Sequence, residues 1–249
     1  MSDTIAILTG ASRGIGAAMA RGLVKPGTRL ITLARREDPE LAAHARSQDV
    51  QLEQLSVDLS DLKAAESAAE RICAALPRDA KRYLLINNAG TVHPVARTDE
   101  LTDGAAISAA FNLNVTAVML LTARFLAAVA DIKADRRVLN ISSGAGRNPN
   151  AGWGVYCATK AALDRHAEAV LLDGDATVRV CSLAPGVIDT GMQAEIRATG
   201  EDRFPLRERF VQLKEQGDLS SPEDCARKLV AYLLADDFGS RAVADLREV

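Results

Sequence analysis

The stretch TIAILTGASRGIG, residues 4–16, decides the fold. An apolar run (TIAILT, 4–9) enters a glycine-rich turn, and an alanine-rich helical pattern follows at once. That strand–turn–helix context is what gives such glycines meaning. Gly10 permits a tight turn, Gly14 lets the backbone approach a pyrophosphate, and Gly16 lets helix and strand pack closely. The N–H groups that open the helix supply positive potential for phosphate, so Ser12, Arg13 and Ile15 belong to the same candidate cradle. The spacing is Gly-x-x-x-Gly-x-Gly rather than the usual dinucleotide fingerprint.

Outward from this loop the pattern repeats. Further strand candidates are RLITLA (29–34), VQLEQLSV (50–57), YLLIN (83–87), RRVLNIS (136–142) and VRVCSLA (178–184), several of them apolar throughout, as strands covered on both faces must be. Helix candidates lie near 14–25, 39–47, 60–76, 104–130, 154–173 and 221–235, with start signals at Ser60 and at Ser221-Pro222. This alternation predicts an α/β fold: a Rossmann-type, doubly wound parallel sheet of six strands flanked by helices, in a single domain spanning 1–249. The polar segment 189–216, marked by Gly191, Gly200 and Pro205, reads as an insertion after the sixth strand and as a lid on the substrate side.

Composition narrows the partners. With 48% apolar and 25% charged residues and a formal charge of -3, the 249-residue chain offers no basic field for nucleic acid, and a small molecule is expected. Cys73, Cys157, Cys181 and Cys225 show neither metal-site nor disulfide spacing, so no metal is expected. The N-terminus lacks a basic-then-apolar leader, and no stretch reads as the roughly 20 apolar residues that cross a bilayer. A cytoplasmic protein with no membrane association is the expectation.

In folds of this kind the end of the second strand chooses the cofactor: an acid there bonds the ribose of NAD, a basic residue the 2′-phosphate of NADP. Arg35 and Arg36 stand at that point, and Arg13 closes the pocket from the phosphate loop, so NADP(H) is expected; Glu37 is the nearby acid that would serve NAD. Reducing a carbonyl builds negative charge on its oxygen, which calls for hydrogen-bond donors and an acid. Tyr156 and Lys160, four residues apart on a helical stretch, share one face, and the ammonium is expected to lower the phenol pKa. Ser143 ends the fifth strand, where open α/β sheets bind ligands, while alternation turns Ser142 to the other face.

Thr9 to Gly16, Asn87-Asn88-Ala89-Gly90, Asn114, Ser143, Tyr156-x-x-x-Lys160 and Pro185-Gly186 together resemble the short-chain dehydrogenase/reductase family over nearly the whole chain. The resemblance implies that Ser143 polarises the carbonyl, Tyr156 is the acid, Lys160 binds the nicotinamide ribose and Asn114 holds a water in a proton relay. It also implies that Asn88, Ala89 and Gly90 line the cofactor, that Asp58 and Leu59 meet the adenine, and that Pro185, Gly186, Ile188 and Thr190 border the nicotinamide.

Gly152-Trp153-x-x-Tyr156-Cys157-Ala158-x-Lys160 and the run Pro185 to Gln193 are similar to the branch containing sepiapterin and benzil reductases. That likeness implies a vicinal diketone or a pterin side-chain ketone as substrate, with Trp153 and Met192 walling its pocket and Asp245 as a further ligand. Trp153 also reads as core filler, and Asp245 as a surface residue. The shared motifs equally suit a 3-oxoacyl-thioester reductase or a hydroxysteroid dehydrogenase, and a non-catalytic NADPH-binding regulator is the alternative of a different class. Alanines and leucines on several faces of 104–130 and 154–173 predict a homodimer through these helices, with a tetramer as the larger alternative.

Overall fold

The computed structural model describes residues 2–249 other than 174 and 176. Among the described residues seven strands form one sheet: β1 (Thr4–Thr9), β2 (Thr28–Ala34), β3 (Gln51–Ser56), β4 (Arg82–Asn87), β5 (Asp135–Ile141), β6 (Val178–Ala184) and β7 (Val243–Asp245). All pair in parallel, in the order β3-β2-β1-β4-β5-β6-β7. The chain leaves β3 and returns beside β1 as β4, so the order reverses between β1 and β4, which is where such sheets open a crevice at their carboxyl ends. The sequence expectation stopped at six strands. The seventh is three residues long, and Val243-Ala244-Asp245 is too short to show as an apolar run.

Helices α1 (Gly14–Leu23), α2 (Pro39–Ser47) and α9 (Pro222–Leu234) contribute to the core on one face of the sheet, around Met19, Leu23, Leu41, Leu229 and Leu233. Helices α3 (Leu62–Ala74), α5 (Ala117–Ala128) and α6 (Gly154–Leu172) contribute to the core on the other face, with Ala69, Ile72, Leu121, Phe125 and Ala167. Caps set the helix starts. Ser221 accepts from the Asp224 N–H ahead of Pro222, as its sequence suggests, whereas α3 is capped by Asp61 and not by Ser60, which bonds Asp58 instead.

Two further expectations change. The run near 104–130 is not one regular helix: α4 (Gly104–Phe111) passes through a π turn (Asn112–Thr116) into α5. Taken as a unit, Gly104–Ala128 is also long and apolar enough to cross a membrane, contrary to the sequence reading, with 33% of its most apolar window buried. Alanine supplies much of that apolarity, and α5 packs on α3, β4 and β5. The polar segment after β6 carries two helices, α7 (Gly191–Ala198) and α8 (Arg207–Glu215). It departs and rejoins the fold at one point, where Ile188 bridges Ser220: Asp189 N–H donates to the Ser220 carbonyl at 2.9 Å and Ser220 N–H to that of Val187 at 3.2 Å.

Candidate active site

The phosphate loop explains its own glycines. Gly10 and Gly14 have φ of +70° and +57°, the left-handed region that glycine enters without strain. A Cβ on Gly16 would lie 2.1 Å from the Gly10 carbonyl oxygen and 2.4 Å from Asn88 Nδ2. The third glycine therefore fits the helix start against the turn and the Asn88 side chain, which itself donates to the carbonyls of Thr9 (3.0 Å) and Gly10 (3.1 Å). The Thr9 hydroxyl accepts from Asn88 and Ala89 N–H, both at 2.9 Å, fastening β1 to β4 under the loop. Arg13 at the N-cap makes no side-chain cap, so no cap side chain takes up the first N–H groups of α1. This cradle fits a dinucleotide pyrophosphate.

A cleft of 1280 Å³ runs from this loop across the carboxyl ends of the strands. Every residue expected to touch cofactor or substrate lines it except Arg36. Beyond Ala34 the chain bends, leaving Arg35 on the cleft and Arg36 exposed outside it. Arg13 also departs from expectation: its guanidinium, largely in solvent, lies 3.4 Å from Glu195 on α7, so it reaches toward the insertion rather than toward Arg35. Glu37 faces a separate small depression beside Gln54 and Arg71. Asp58 accepts from the Ser60 N–H and hydroxyl at 2.9 and 2.7 Å, which with the nearby Arg35 charge holds its carboxyl below the usual range.

At the centre, α6 and the end of β5 bring the catalytic candidates together. Tyr156 is in the first turn of α6, and Lys160, one turn on, donates from Nζ to the Ile141 carbonyl at 2.7 Å while lying 5.7 Å from the tyrosine ring centre. Ser143 follows β5 at the head of a short 3-10 turn. The Tyr156 pKa moves opposite to the sequence expectation. Burial pushes it up to about 12, and the group pulling it back is the Ser143 hydroxyl rather than the lysine. Burial also brings Lys160 down to about 8, against the pull of Asp164.

Asn114 sits in the π turn, behind the cleft wall, and is almost fully buried. Its amide accepts from Thr91 N–H at 2.9 Å and donates to the Thr91 carbonyl (2.8 Å) and to Thr159 Oγ1 (3.1 Å), fixing the strand-end loop that carries Gly90.

The substrate end is aromatic. Trp153 stacks on Phe204 with centroids 4.7 Å apart, meets Tyr156 edge-on at 5.4 Å, and touches Phe210 at 5.5 Å. Trp153 is buried in a small core, as its reading as core filler has it, and it also lines the cleft. Phe204 and Phe210 were not among the sequence candidates. The signal was two phenylalanines, of five in the chain, inside an otherwise charged segment. Asp245 closes the far wall at the end of β7, 5% exposed, which overturns its reading as a surface residue. Its carboxylate is taken by Arg247 in a two-pronged pair, Nε–Oδ1 and Nη2–Oδ2 both 2.7 Å, which lowers its pKa. The described residues hold no group of three or more His, Cys, Asp or Glu side chains suited to a metal, and all four cysteines are unpaired.

Comparison with known proteins agrees with this geometry. A family model described as short chain dehydrogenase matches residues 4–201. A benzil reductase ((S)-benzoin forming) of Bacillus cereus is 37% identical over 246 residues, covering 97% of this chain and 98% of the relative. A sepiapterin reductase of Bos taurus is 36% identical over 259 residues, covering 98% and 95%. Among solved structures, a short-chain dehydrogenase/reductase from Burkholderia vietnamiensis is 36% identical with a TM-score of 0.69, covering 99% of this chain and 98% of its own.

Proposed function

We propose, from the premise that this chain belongs to the short-chain dehydrogenase/reductase family of oxidoreductases, that it reduces one carbonyl of an aromatic vicinal diketone to the hydroxy ketone with NADPH. The observation that carries this reading is Tyr156 beside Ser143 at the foot of a cleft wall made by Trp153 and Phe210, with Phe204 packed behind Trp153. Flat rings stack on such a wall, and only a protonated tyrosine can act as an acid.

The Gly10–Gly16 loop with Asn88, Ala89 and Gly90 would hold a dinucleotide, whose reduced nicotinamide would supply the hydride for the carbonyl carbon. The Ser143 hydroxyl donates to the carbonyl oxygen and Tyr156 passes its proton to that oxygen as the C–O bond becomes single. The Lys160 ammonium, anchored on Ile141, offsets the negative charge left on the phenol oxygen. Asn114 holds the Gly90–Thr91 loop that borders the same space. The preference for NADPH rests on Arg35 facing the cleft while Glu37 faces away from it.

Asp245 supports a second substrate reading, a pterin carrying a side-chain ketone, because a buried carboxylate on the wall suits an amino-substituted heterocycle. Its pairing with Arg247 favours the uncharged diketone, since a pterin must first displace the guanidinium. NADPH oxidation by the purified protein with benzil, sepiapterin, an acetoacetyl thioester and a steroid ketone, repeated with NADH, tests the reading. Benzil turnover with NADPH preferred is expected, and turnover of the thioester or steroid alone overturns the substrate.

The protein is further proposed to act as a homodimer. Phe111 and Met119 on the 104–128 run and Leu172 at the end of α6 are large apolar side chains exposed on one copy, and a second copy of the same helices would cover them. Light scattering at micromolar concentration should give twice the chain mass, and a monomer mass overturns this.

A further inference from the structure

One turn beyond Lys160 on α6 lies Asp164, 7% exposed, a carboxylate that no step above uses. Its Oδ1 accepts from two hydroxyls, Ser142 Oγ at the end of β5 and Ser182 Oγ in β6, both at 2.7 Å. Its Oδ2 has no hydrogen-bond donor, and the Arg147 Nε stands 3.9 Å away. A carboxylate removed from water with one oxygen unbonded is costly unless positive charge is near. The charged and titratable groups around it are Lys160 on its own helix, Arg147 after the 144–146 turn and the Cys181 thiol on β6, with Arg147 also acting on Asp245 of β7.

Three consecutive residues at the end of β5 are thus each engaged by one of three side chains spaced four apart along α6. The Ile141 carbonyl takes the Lys160 ammonium, the Ser142 hydroxyl goes to Asp164, and the Ser143 hydroxyl stands beside that of Tyr156. Residues at this spacing share one helix face. We infer that Asp164 is a positioning residue, which clamps the end of β5 and β6 against α6 through Ser142 and Ser182 and holds the Lys160 ammonium in place by its charge. Burial alone draws Lys160 toward the neutral form, and Asp164 is the group that opposes it.

The charge part is tested without any substrate, and the turnover part rests on the proposed reaction. Asp164→Asn keeps the shape and an acceptor for both serines while removing the charge. In a double-mutant cycle with Lys160→Met, read from unfolding in denaturant, the two sites should couple about ten-fold at pH 7 and less than about two-fold at pH 10, where the lysine is neutral. During reduction of the diketone, Asp164→Asn should move the alkaline fall of kcat about one pH unit lower, leaving KM and NADPH binding within about two-fold. Ser182→Ala, which touches neither Tyr156 nor Lys160, should lower kcat several-fold without moving that fall. Coupling under about two-fold at pH 7, or an unmoved fall, overturns the inference. If Asp164→Asn does not fold, Ser182→Ala decides: unchanged kcat overturns it. If the wild-type protein reduces none of the carbonyls, the proposed function fails while the unfolding cycle still decides Asp164.

Discussion

Trp153 lies nearly flat on Phe204, with ring centroids 4.7 Å apart and planes 16° from parallel, so the residue that opens α6 is backed by one from the insertion. Phe204 is fully buried, and its replacement by alanine should cost about 3 kcal/mol in a denaturant melt through the cavity it leaves. Phe204 does not itself line the cleft, so the same variant should act on substrate only through Trp153, which loses its backing, and raise KM for benzil several-fold with NADPH binding unchanged. An unchanged KM would remove this backing from substrate recognition.

Tyr156→Phe deletes the hydroxyl proposed as the acid and little volume. Its kcat should fall by about 10³-fold while NADPH titrated by fluorescence binds within about two-fold of wild type. Retention of more than a few per cent of activity contradicts the assignment.

The pH profile should belong to the lysine. Tyr156, pushed up to about 12, stays protonated over the working range, whereas Lys160, brought down from 10.5 to about 8, keeps its charge below that pH and loses it above. Turnover should therefore be level below about 8 and fall as pH rises through it. The unfolded chain holds this proton up to 10.5, so the lysine's own contribution to stability grows with pH between about 8 and 10.5. Activity lost only together with the fold would show that the fall is not a titration of this site.

Arg35→Ala should weaken NADPH by about ten- to a hundred-fold and leave NADH within about two-fold, as expected when a charge-assisted contact to a 2′-phosphate is lost. Equal weakening of both would place Arg35 outside the phosphate pocket.

Arg247→Ala frees the Asp245 carboxylate from its two 2.7 Å bonds. The ratio of kcat/KM for sepiapterin to that for benzil should rise several-fold; a fixed ratio would leave Asp245 without a part in choosing the substrate.

The sheet was legible because parallel strands covered on both faces have to be apolar, as TIAILT and VRVCSLA are. β7 was not, because three residues carry no period, and the π turn was not, because its Asn112–Thr116 interrupts a composition that runs on unchanged into α5. Spacing placed Tyr156, Lys160 and Ser143 together correctly, yet gave the wrong sign for the tyrosine pKa. Spacing states which groups meet, whereas burial, which dominates that shift, depends on everything packed around them. Asp164 was invisible for a related reason: a lone acid on a helix reads as solvated until the strand serines that bond it are seen.

The bridge between Ile188 and Ser220 gathers both ends of the insertion at a single seam. The insertion's share of the cleft wall, Met192 and Phe210 among it, hangs from that seam, while Ser143, Trp153 and Tyr156 are rooted at β5 and α6 and Asp245 at β7. Inheritance can therefore exchange one as a cassette without retuning the other, and a laboratory graft of a relative's insertion between Ile188 and Ser220 is the shortest route to a new specificity on the same chemical engine.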